Sequence, residues 1–222
     1  MGWWDAYRPI ISLIRADDGK VAAGIGSYIV LNQDGWFLTA AHIMALAHQA
    51  QVDAISKQNY GQAVDRIESD PNLSHKVKRR MVRELARNDK WIANFSFVFA
   101  GSAAQILGQA NVDPAADIAV ARLDTLAGLN ISGFPKFPAT GTQLSPGTSL
   151  CTLGFPFQPL AATFDSTARQ FNLPAQQIAF FPSEGIHTRY VNMVDQTSNP
   201  NRTIPYIETS SPDSRGRAAA QS

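Results

Sequence analysis

Residues 24–42 read GIGSYIVLNQDGWFLTAAH, with two apolar runs on either side of a polar turn sequence. The first run, from Ile25 to Leu31, is rich in β-branched and aromatic residues, and the second, from Trp36 to Thr39, continues that pattern. The residues between them, Asn32 to Gly35, are of the types that favour tight turns. We therefore predict a β-hairpin whose return strand ends at His42.

Outward from this hairpin, most of the chain has the patterning of short strands. Apolar runs of strand length recur between turns rich in glycine and proline, at Pro9–Ile14, Asn94–Ala100, Ile118–Leu123 and Ser149–Leu153. The stretch from Pro135 to Gly147 is the most linker-like part of the sequence. We predict a chain built mainly of strands.

Residues 43–92 break this pattern. They are rich in Ala, Gln, Lys and Arg, and Val77, Met81 and Leu85 recur at the four-residue spacing of one helix face. The Asp-Pro pair at 70–71 predicts the start of a helix, because aspartate is a favoured N-cap and proline is favoured at the first helical position. We predict a helical insertion over this whole segment.

The composition excludes some classes of protein. The chain has 222 residues, 45% of them hydrophobic and 17% charged, which is enough apolar material for a substantial core. Its formal net charge of +1 gives no reason to expect a nucleic acid or a membrane surface as a partner. The one cysteine, Cys151, cannot form an internal disulfide, and residues 1–5 lack the basic start and apolar run of a signal peptide. These features predict a cytoplasmic protein.

Two residues of the types used in acyl transfer stand next to predicted strands. His42 follows Thr-Ala-Ala at the end of the hairpin, and Asp117 directly precedes the apolar run Ile118–Leu123. A histidine base, a buried aspartate that orients it and a serine nucleophile divide this chemistry among three groups. Asp113, which stands before Pro114, is the alternative to Asp117 as the orienting carboxylate.

Four segments resemble the chymotrypsin/trypsin family of serine proteases, and above all its bacterial HtrA/Deg-like and cytoplasmic members. Residues 24–42 are similar to the segment that leads to the base histidine, and residues 113–123 to the aspartate strand. Residues 146–156 are similar to the strand that opens the second barrel, and residues 204–211 to the strand that leads to the nucleophile loop. The four occur in the family's order. The resemblance extends over nearly the whole chain apart from the helical insertion.

The resemblance implies an all-β, trypsin-like double β-barrel with a helical insertion after the first-barrel histidine. The first barrel would span residues 1–134 and carry His42 and Asp117. An inter-barrel linker would follow at 135–147, and an incomplete second barrel would occupy 148–222 and end at the nucleophile loop. By the same resemblance the function is peptide-bond hydrolysis by a serine endopeptidase, with a protein or peptide substrate and no cofactor.

The family's nucleophile motif, Gly-x-Ser-Gly-Gly-Pro, commonly places its serine nine residues after a threonine that ends the preceding strand. Counting nine residues from Thr209 leads to Ala218, with Gly216 two positions earlier as the motif requires. The resemblance assigns His42 as the base, Asp117 as the orienting carboxylate and the backbone N–H groups at 216 and 218 as the oxyanion hole. Because Ala218 stands where the serine is expected, we predict that this chain has no protease activity.

The last five residues, AAAQS over 218–222, match a shifted reading frame. Ser-Gly-Gly-Pro-Val can be encoded as AGC GGC GGC CCA GTC, and loss of the first A leaves GCG GCG GCC CAG TC, which reads Ala-Ala-Ala-Gln-Ser. We interpret the ending as a one-nucleotide deletion at the nucleophile codon. A designed serine-to-alanine change would not also replace the glycines and the proline, and a cloning-derived tail is the remaining explanation.

Ser214 is the alternative nucleophile, because the run DSRG over 213–216 imitates the Asp-Ser-Gly-Gly of digestive relatives. Arg215 argues against it, since its side chain would stand where the oxyanion loop needs a glycine-like backbone. No metal or cofactor is predicted, since the remaining histidines have no partners at ligand spacing. They are His48, His75 and His187.

Residues 76–90 form a basic segment around the apolar stripe of Val77, Met81 and Leu85. Its charged residues are Lys76, Lys78, Arg79, Arg80, Arg83, Arg87 and Lys90, against Glu84 and Asp89. Two interpretations stay open: a solvent-exposed helix face packed on the barrel through the stripe, or a functional surface that docks an acidic partner or covers the substrate cleft. The second interpretation suggests an alternative function, a non-catalytic trypsin-like binding module.

Overall fold

The computed structural model describes residues 3–155, 160–174, 178–195 and 200–210. A short 3₁₀ helix, Trp3–Ala6, precedes the first strand. In chain order the further elements are β1 Tyr7–Ala16, β2 Val21–Val30, β3 Trp36–Thr39, α1 Ala41–Ser69, α2 His75–Glu84, β4 Ile92–Phe99, β5 Ile106–Asp113, β6 Ile118–Leu123, β7 Ser149–Gly154, β8 Thr163–Asp165, β9 Gln170–Asn172, β10 Phe181–Val194 and β11 Thr203–Thr209.

Six strands form one curled antiparallel sheet in the order β4-β1-β2-β3-β6-β5. Its two edge strands, β4 and β5, do not pair with each other, so the sheet is an open half-barrel. A second antiparallel sheet has the order β11-β10-β7, and β8 and β9 form a separate hairpin. The chain is therefore mainly β with a half-barrel and a long helix, and the described ranges contain no closed double barrel.

The hairpin predicted from residues 24–42 is present as β2 and β3. Tyr28 pairs with Thr39, and Val30 pairs with Phe37. Because directly paired residues share one face of an antiparallel sheet, the side chains of Val30 and Phe37 enter the same core. The hairpin thereby supplies both the centre of the half-barrel and the strand that leads toward His42.

The return strand of this hairpin ends earlier than predicted. It stops at Thr39, and Ala40 keeps an extended backbone with φ −77° and ψ 144°. From Ala41 onward the backbone is helical, so His42 lies in the first turn of α1 and not at a strand end. The strand pattern could not show this boundary, because Ala-Ala-His fits a strand end and a helix start equally well.

The core lies inside the half-barrel. Tyr28, Phe37 and Phe99 are each at most 2% exposed, and their rings form an edge-to-face cluster with centroids 5.2 to 5.7 Å apart. Such pairs stabilise a core by about 0.5–1.5 kcal/mol each beyond the burial of their area. In the second sheet, Ile204 is the one apolar side chain of the described residues that is buried. Most of the described core therefore belongs to the half-barrel.

The helix α1 is anchored to the half-barrel along its first two thirds. The carboxylate of Asp53 accepts the backbone N–H of Ile92 at 2.8 Å, and Lys57 forms an ion pair with Asp17 at 2.6 Å. Tyr60 then packs against Trp91. With 29 residues, α1 is about 43 Å long. Its C-terminal end therefore lies far from His42.

The helix α2 corrects two predictions. Asp70 caps the end of α1, and its carboxylate accepts the N–H of Asn72 at 2.8 Å in a local turn, which competes with helix initiation. The helix begins at His75 and ends at Glu84, short of residue 90. Its apolar stripe is half-buried, and the main packing partner of α2 among the described elements is α1. Neither described helix is long and apolar enough to span a membrane.

The second sheet contains elements that the sequence patterning did not predict. β10 is the longest strand, with 14 residues, and carries Pro182 and Gly185 in its first half. Both residue types are depleted in strands. The buried positions of β10 alternate with exposed ones, but they are Gly185 and His187, while the apolar Ile186 is exposed, so burial there does not follow hydrophobicity. β5, β8 and β9 were also missed. Their pairing partners, and not their own patterns, stabilise them as strands.

Candidate active site

His42 is held in place by the start of α1. The residues on either side of it, Ala41 and Ile43, are buried, so the first turn of the helix is fixed on the sheet. Ile43 packs over Gly26 of β2, where a side chain would leave no room for it. Between these two anchors the imidazole of His42 points outward and is 72% exposed.

Asp117 lies on the turn between β5 and β6. Its backbone N–H bonds to the carbonyl of Pro114 at 3.3 Å, and its φ of 53° is in the left-handed region. Aspartate tolerates this region better than most residues, because its short polar side chain can bond locally. β6, which follows this turn, pairs with β3 through Ala119 and Thr39. This pairing brings the end of β3 next to the turn.

The side chains of His42 and Asp117 are in direct contact. The imidazole Nδ1 lies 2.8 Å from Oδ2 and 3.0 Å from Oδ1 of the carboxylate, and the backbone N–H of His42 donates to Oδ1 at 2.9 Å. The N–H of Ala41 also donates to the carbonyl of Asp117 at 3.1 Å. The first N–H groups of a helix have no partner inside it. Ala40 provides no side-chain cap for these groups. Asp117, which belongs to another element, accepts hydrogen bonds from two of them.

The electrostatics of this pair favour a charged aspartate. Partial burial raises the pKa of Asp117, but hydrogen bonds from the backbone N–H and the imidazole of His42 outweigh it and hold that pKa below its usual value. The sequence predicted a buried aspartate, yet the side chain is 54% exposed. It is exposed because it lies in the turn between β5 and β6 and not within a strand.

This geometry sets the tautomer of the imidazole. A carboxylate can only accept a hydrogen bond, so Nδ1 must carry the proton, and a neutral imidazole then has Nε2 free as an acceptor. No residue in the described part of the chain bonds to Nε2 of His42. The pair can therefore accept a proton at Nε2 and stabilise the resulting imidazolium through Asp117.

The other sequence-predicted residues fall in different places. Asp113, the alternative orienting carboxylate, is bound to the guanidinium of Arg202 and not to His42. Ala218, Gly216 and Ser214 lie outside the described residues. The strand that precedes them is described, and it ends at Thr209 as β11.

Two residues next to the site were missed by sequence reasoning. Arg202 binds Asp113, and Tyr206 donates from its hydroxyl to the carbonyl of Ala115 at 3.1 Å. Both come from β11 or the residue before it, while the turn they contact precedes β6. No local pattern marks them, because a single arginine after a turn and a single tyrosine in a strand are common.

The remaining histidines do not form a metal site. Within the ranges that the structure describes, no three His, Cys, Asp or Glu side chains are grouped so that they could hold a metal ion. His187 is 1% exposed, and its Nδ1 lies 3.1 Å from the carbonyl of Ser145. It is a buried structural residue of β10. His48 and His75 lie on α1 and α2.

Comparison with known proteins adds no relative. No protein-family model matches the chain, and no curated protein matches it significantly.

Proposed function

We propose that this chain is of the chymotrypsin/trypsin type of serine peptidase, with His42 as the general base and Asp117 as the carboxylate that orients it. One observation carries the proposal: Asp117 binds both Nδ1 and the backbone N–H of His42. An ordinary surface ion pair would use the side chains alone. The additional backbone bond ties the carboxylate to the helix start, so the imidazole is held in one orientation with Nε2 outward.

In the proposed reaction a serine hydroxyl at position 218 attacks the carbonyl carbon of the scissile peptide bond. Its proton passes to Nε2 of His42, and the negative charge of Asp117 stabilises the imidazolium that forms. The backbone N–H groups at positions 216 and 218 would donate to the oxyanion. When the tetrahedral intermediate collapses, the proton on Nε2 passes to the leaving amine and the C–N bond breaks, which leaves the acyl group on the serine. A water molecule that gives its proton to Nε2 then attacks this ester, and the proton returns to the serine oxygen as the acid leaves.

The test restores the family motif. Residues 218–221 are changed from Ala-Ala-Ala-Gln to Ser-Gly-Gly-Pro, and the chain is treated with a fluorophosphonate, which labels activated serines. We expect labelling at position 218 that disappears when His42→Ala is added. A restored chain that stays unlabelled, or that is labelled equally without His42, contradicts the proposal. Reading the gene past codon 217 adds an independent check, since a shifted frame should encode Ser-Gly-Gly-Pro.

A second candidate function is the docking of an acidic protein segment on α2. Arg79 and Arg83 are exposed and have no ion-pair partner among the described residues, whereas Arg80 lies 3.8 Å from Glu84. Arg79 and Arg83 border a groove of about 380 Å³ between α1 and α2, whose apolar side chains include Val82. Arginine forks bind carboxylates in a fixed geometry. An acidic segment that also carries apolar residues would match both parts of this groove.

The position of α2 favours docking over a lid. His42 is at the first turn of α1, and α2 follows the opposite end of that helix. With a length of about 15 Å for its ten residues, α2 cannot reach back along the roughly 43 Å of α1. The alternative of a lid over the His42 site is therefore disfavoured. Membrane binding is also disfavoured, since the apolar stripe of α2 is half-buried.

Peptide binding tests this candidate. The probe is a fluorescent amphipathic peptide with Glu and Leu at helical spacing, measured by anisotropy. We expect the double variant Arg79→Glu/Arg83→Glu to weaken binding by about tenfold or more, since close charge pairs in interfaces contribute above 1.4 kcal/mol. The matched control is Lys136→Glu/Arg169→Glu, which changes the same charge at other exposed positions. Equal losses in both variants, or tighter binding of a labelled single-stranded oligonucleotide, contradict the candidate.

A further inference from the structure

Arg202 joins the two sheets next to the candidate active site. Its guanidinium binds both carboxylate oxygens of Asp113, with Nη1 3.2 Å from Oδ1 and Nη2 on Oδ2. It also lies 3.9 Å from the carboxylate of Asp195, whose side chain is completely buried. Arg202 directly precedes β11, whereas Asp113 ends β5. The three charges therefore connect the β10–β11 hairpin with the half-barrel.

Asp113 belongs to the turn that presents Asp117. The same carboxylate that receives Arg202 also accepts the backbone N–H of Ala116 at 3.2 Å, which closes the turn. The hydroxyl of Tyr206 donates to the backbone carbonyl of Ala115, in the same turn, at 3.1 Å. The β11 side of the molecule therefore holds this turn at two points, both within four residues of Asp117.

The turn needs such support because of its backbone. Asp117 has a φ of 53°, a conformation that costs free energy for a residue with a side chain. Without external contacts the turn could relax, and the carboxylate would then leave the imidazole and the N–H of His42. A charge-assisted fork between Arg202 and Asp113 is among the stronger contacts available to resist this.

We propose that Arg202 is a positioning residue for the His42–Asp117 pair: through Asp113 it holds the Asp117 turn against the hairpin whose second strand, β11, runs toward the nucleophile position. This inference rests on the proposed function only where it calls the pair catalytic. The structural coupling stands independently of it. A chain with a correctly held pair and no serine reactivity would contradict the proposed function alone.

The experiment compares two acid-to-amide variants whose carboxylates each bind an arginine of the β10–β11 hairpin. Asp113→Asn removes the charge that Arg202 binds, and Glu208→Gln removes the charge that Arg189 binds on the exposed side of β10 and β11. Two signals report on the pair: hydrogen exchange of the His42 backbone N–H, and the proton resonance of the His42 Nδ1–H. Neither signal depends on catalytic activity, and Glu208→Gln controls for a general loss of stability, which would change the signals in both variants.

We expect Asp113→Asn to speed exchange of the His42 N–H by about tenfold or more and to broaden or remove the Nδ1–H resonance, while Glu208→Gln changes neither. Arg202→Met should reproduce the effect. If that variant fails to fold, Asp113→Asn alone decides the question. Unchanged signals in Asp113→Asn overturn the proposal, and so do equal changes in both acid-to-amide variants, because they would indicate general loosening of the hairpin.

Discussion

A methyl group on Gly26 would lie 2.0 Å from Cδ1 of Ile43. Gly26 is part of β2, and Ile43 follows His42 in the first turn of α1. The absence of a side chain at position 26 therefore lets the helix start pack directly on the sheet. This close approach determines where His42 stands relative to the half-barrel.

The change Gly26→Ala should destabilise the chain by about 1–3 kcal/mol, because an extra methyl in a packed interface forces its neighbours apart. Urea unfolding measures the loss. Adding Ile43→Val removes Cδ1 and should recover most of it, which identifies the contact responsible. Gly61→Ala is the control, since nothing lies within 4 Å of a side chain there. A loss that Ile43→Val does not recover would contradict the explanation.

Asp117→Asn tests the role of the carboxylate in the chain with the restored Ser-Gly-Gly-Pro. The amide can still accept the N–H of His42, but its NH₂ group facing the imidazole would place the proton on Nε2. The rate of labelling by a fluorophosphonate should then fall by about 10⁴-fold, as expected for an imidazole in the wrong tautomer. Asp34→Asn, at another turn of the half-barrel, should leave the rate unchanged. A similar rate in both variants would count against Asp117.

Acid should weaken the connection between the sheets. The guanidinium of Arg202 holds the pKa of Asp113 below its usual value, and the bonds from His42 prevail over partial burial to lower that of Asp117. A folded-state pKa below the unfolded value means that the unfolded chain binds protons first as the pH falls. Their contribution to stability is therefore present above the ordinary aspartate pKa of about 4 and is lost as the pH falls from there through the lowered folded-state pKa values.

Urea unfolding between about pH 6 and about pH 2, which is about two units on either side of the ordinary aspartate pKa, can measure this loss of stability. Asp113→Asn removes one of the two carboxyls and should show a shallower loss. An identical pH dependence in this variant would mean that other groups are responsible.

Hydrogen exchange should separate the two sheets. Most buried side chains of the described residues lie in the half-barrel, whereas the second sheet exposes large apolar residues. Among them Phe181, Met193 and Val194 are more than half exposed. We expect strong protection in the strands before Leu126 and weak protection across β7, β10 and β11, because opening costs less where little apolar area is buried. Uniform protection of both sheets would contradict this expectation.

The chain as it stands should not hydrolyse peptides by a triad mechanism. Ala218 offers no hydroxyl for attack, and without the nucleophile only binding and oxyanion donors could contribute. Mass spectrometry after fluorophosphonate treatment is the direct measurement, and we expect no labelled serine. A label on Ser214 would reassign the nucleophile. If a serine is labelled and the label is lost in the His42→Ala variant, the hydroxyl of that serine faces Nε2 of His42 in place of one at position 218.

Local patterns in the sequence were enough for several elements. The β2–β3 hairpin, the strands at β1, β4, β6 and β7, and the helical character of the insertion all followed from apolar periodicity and turn residues. These features depend on interactions within a few residues. The helix boundaries at Ala41 and His75 were not predicted, since capping there depends on contacts with other elements or on turns that compete with the helix.

The sequence by itself determined that a histidine follows the hairpin and that an aspartate precedes β6, but not which aspartate reaches it. Asp117 and Asp113 stand four residues apart on one turn, and only the folded chain sends the first to His42 and the second to Arg202. The contact between His42 and Asp117 spans 75 positions, and that between Arg202 and Asp113 spans 89. Such distant partners leave no periodic signal in the chain, because sheet pairing and strand curvature bring them together, and these arise only when the whole core packs.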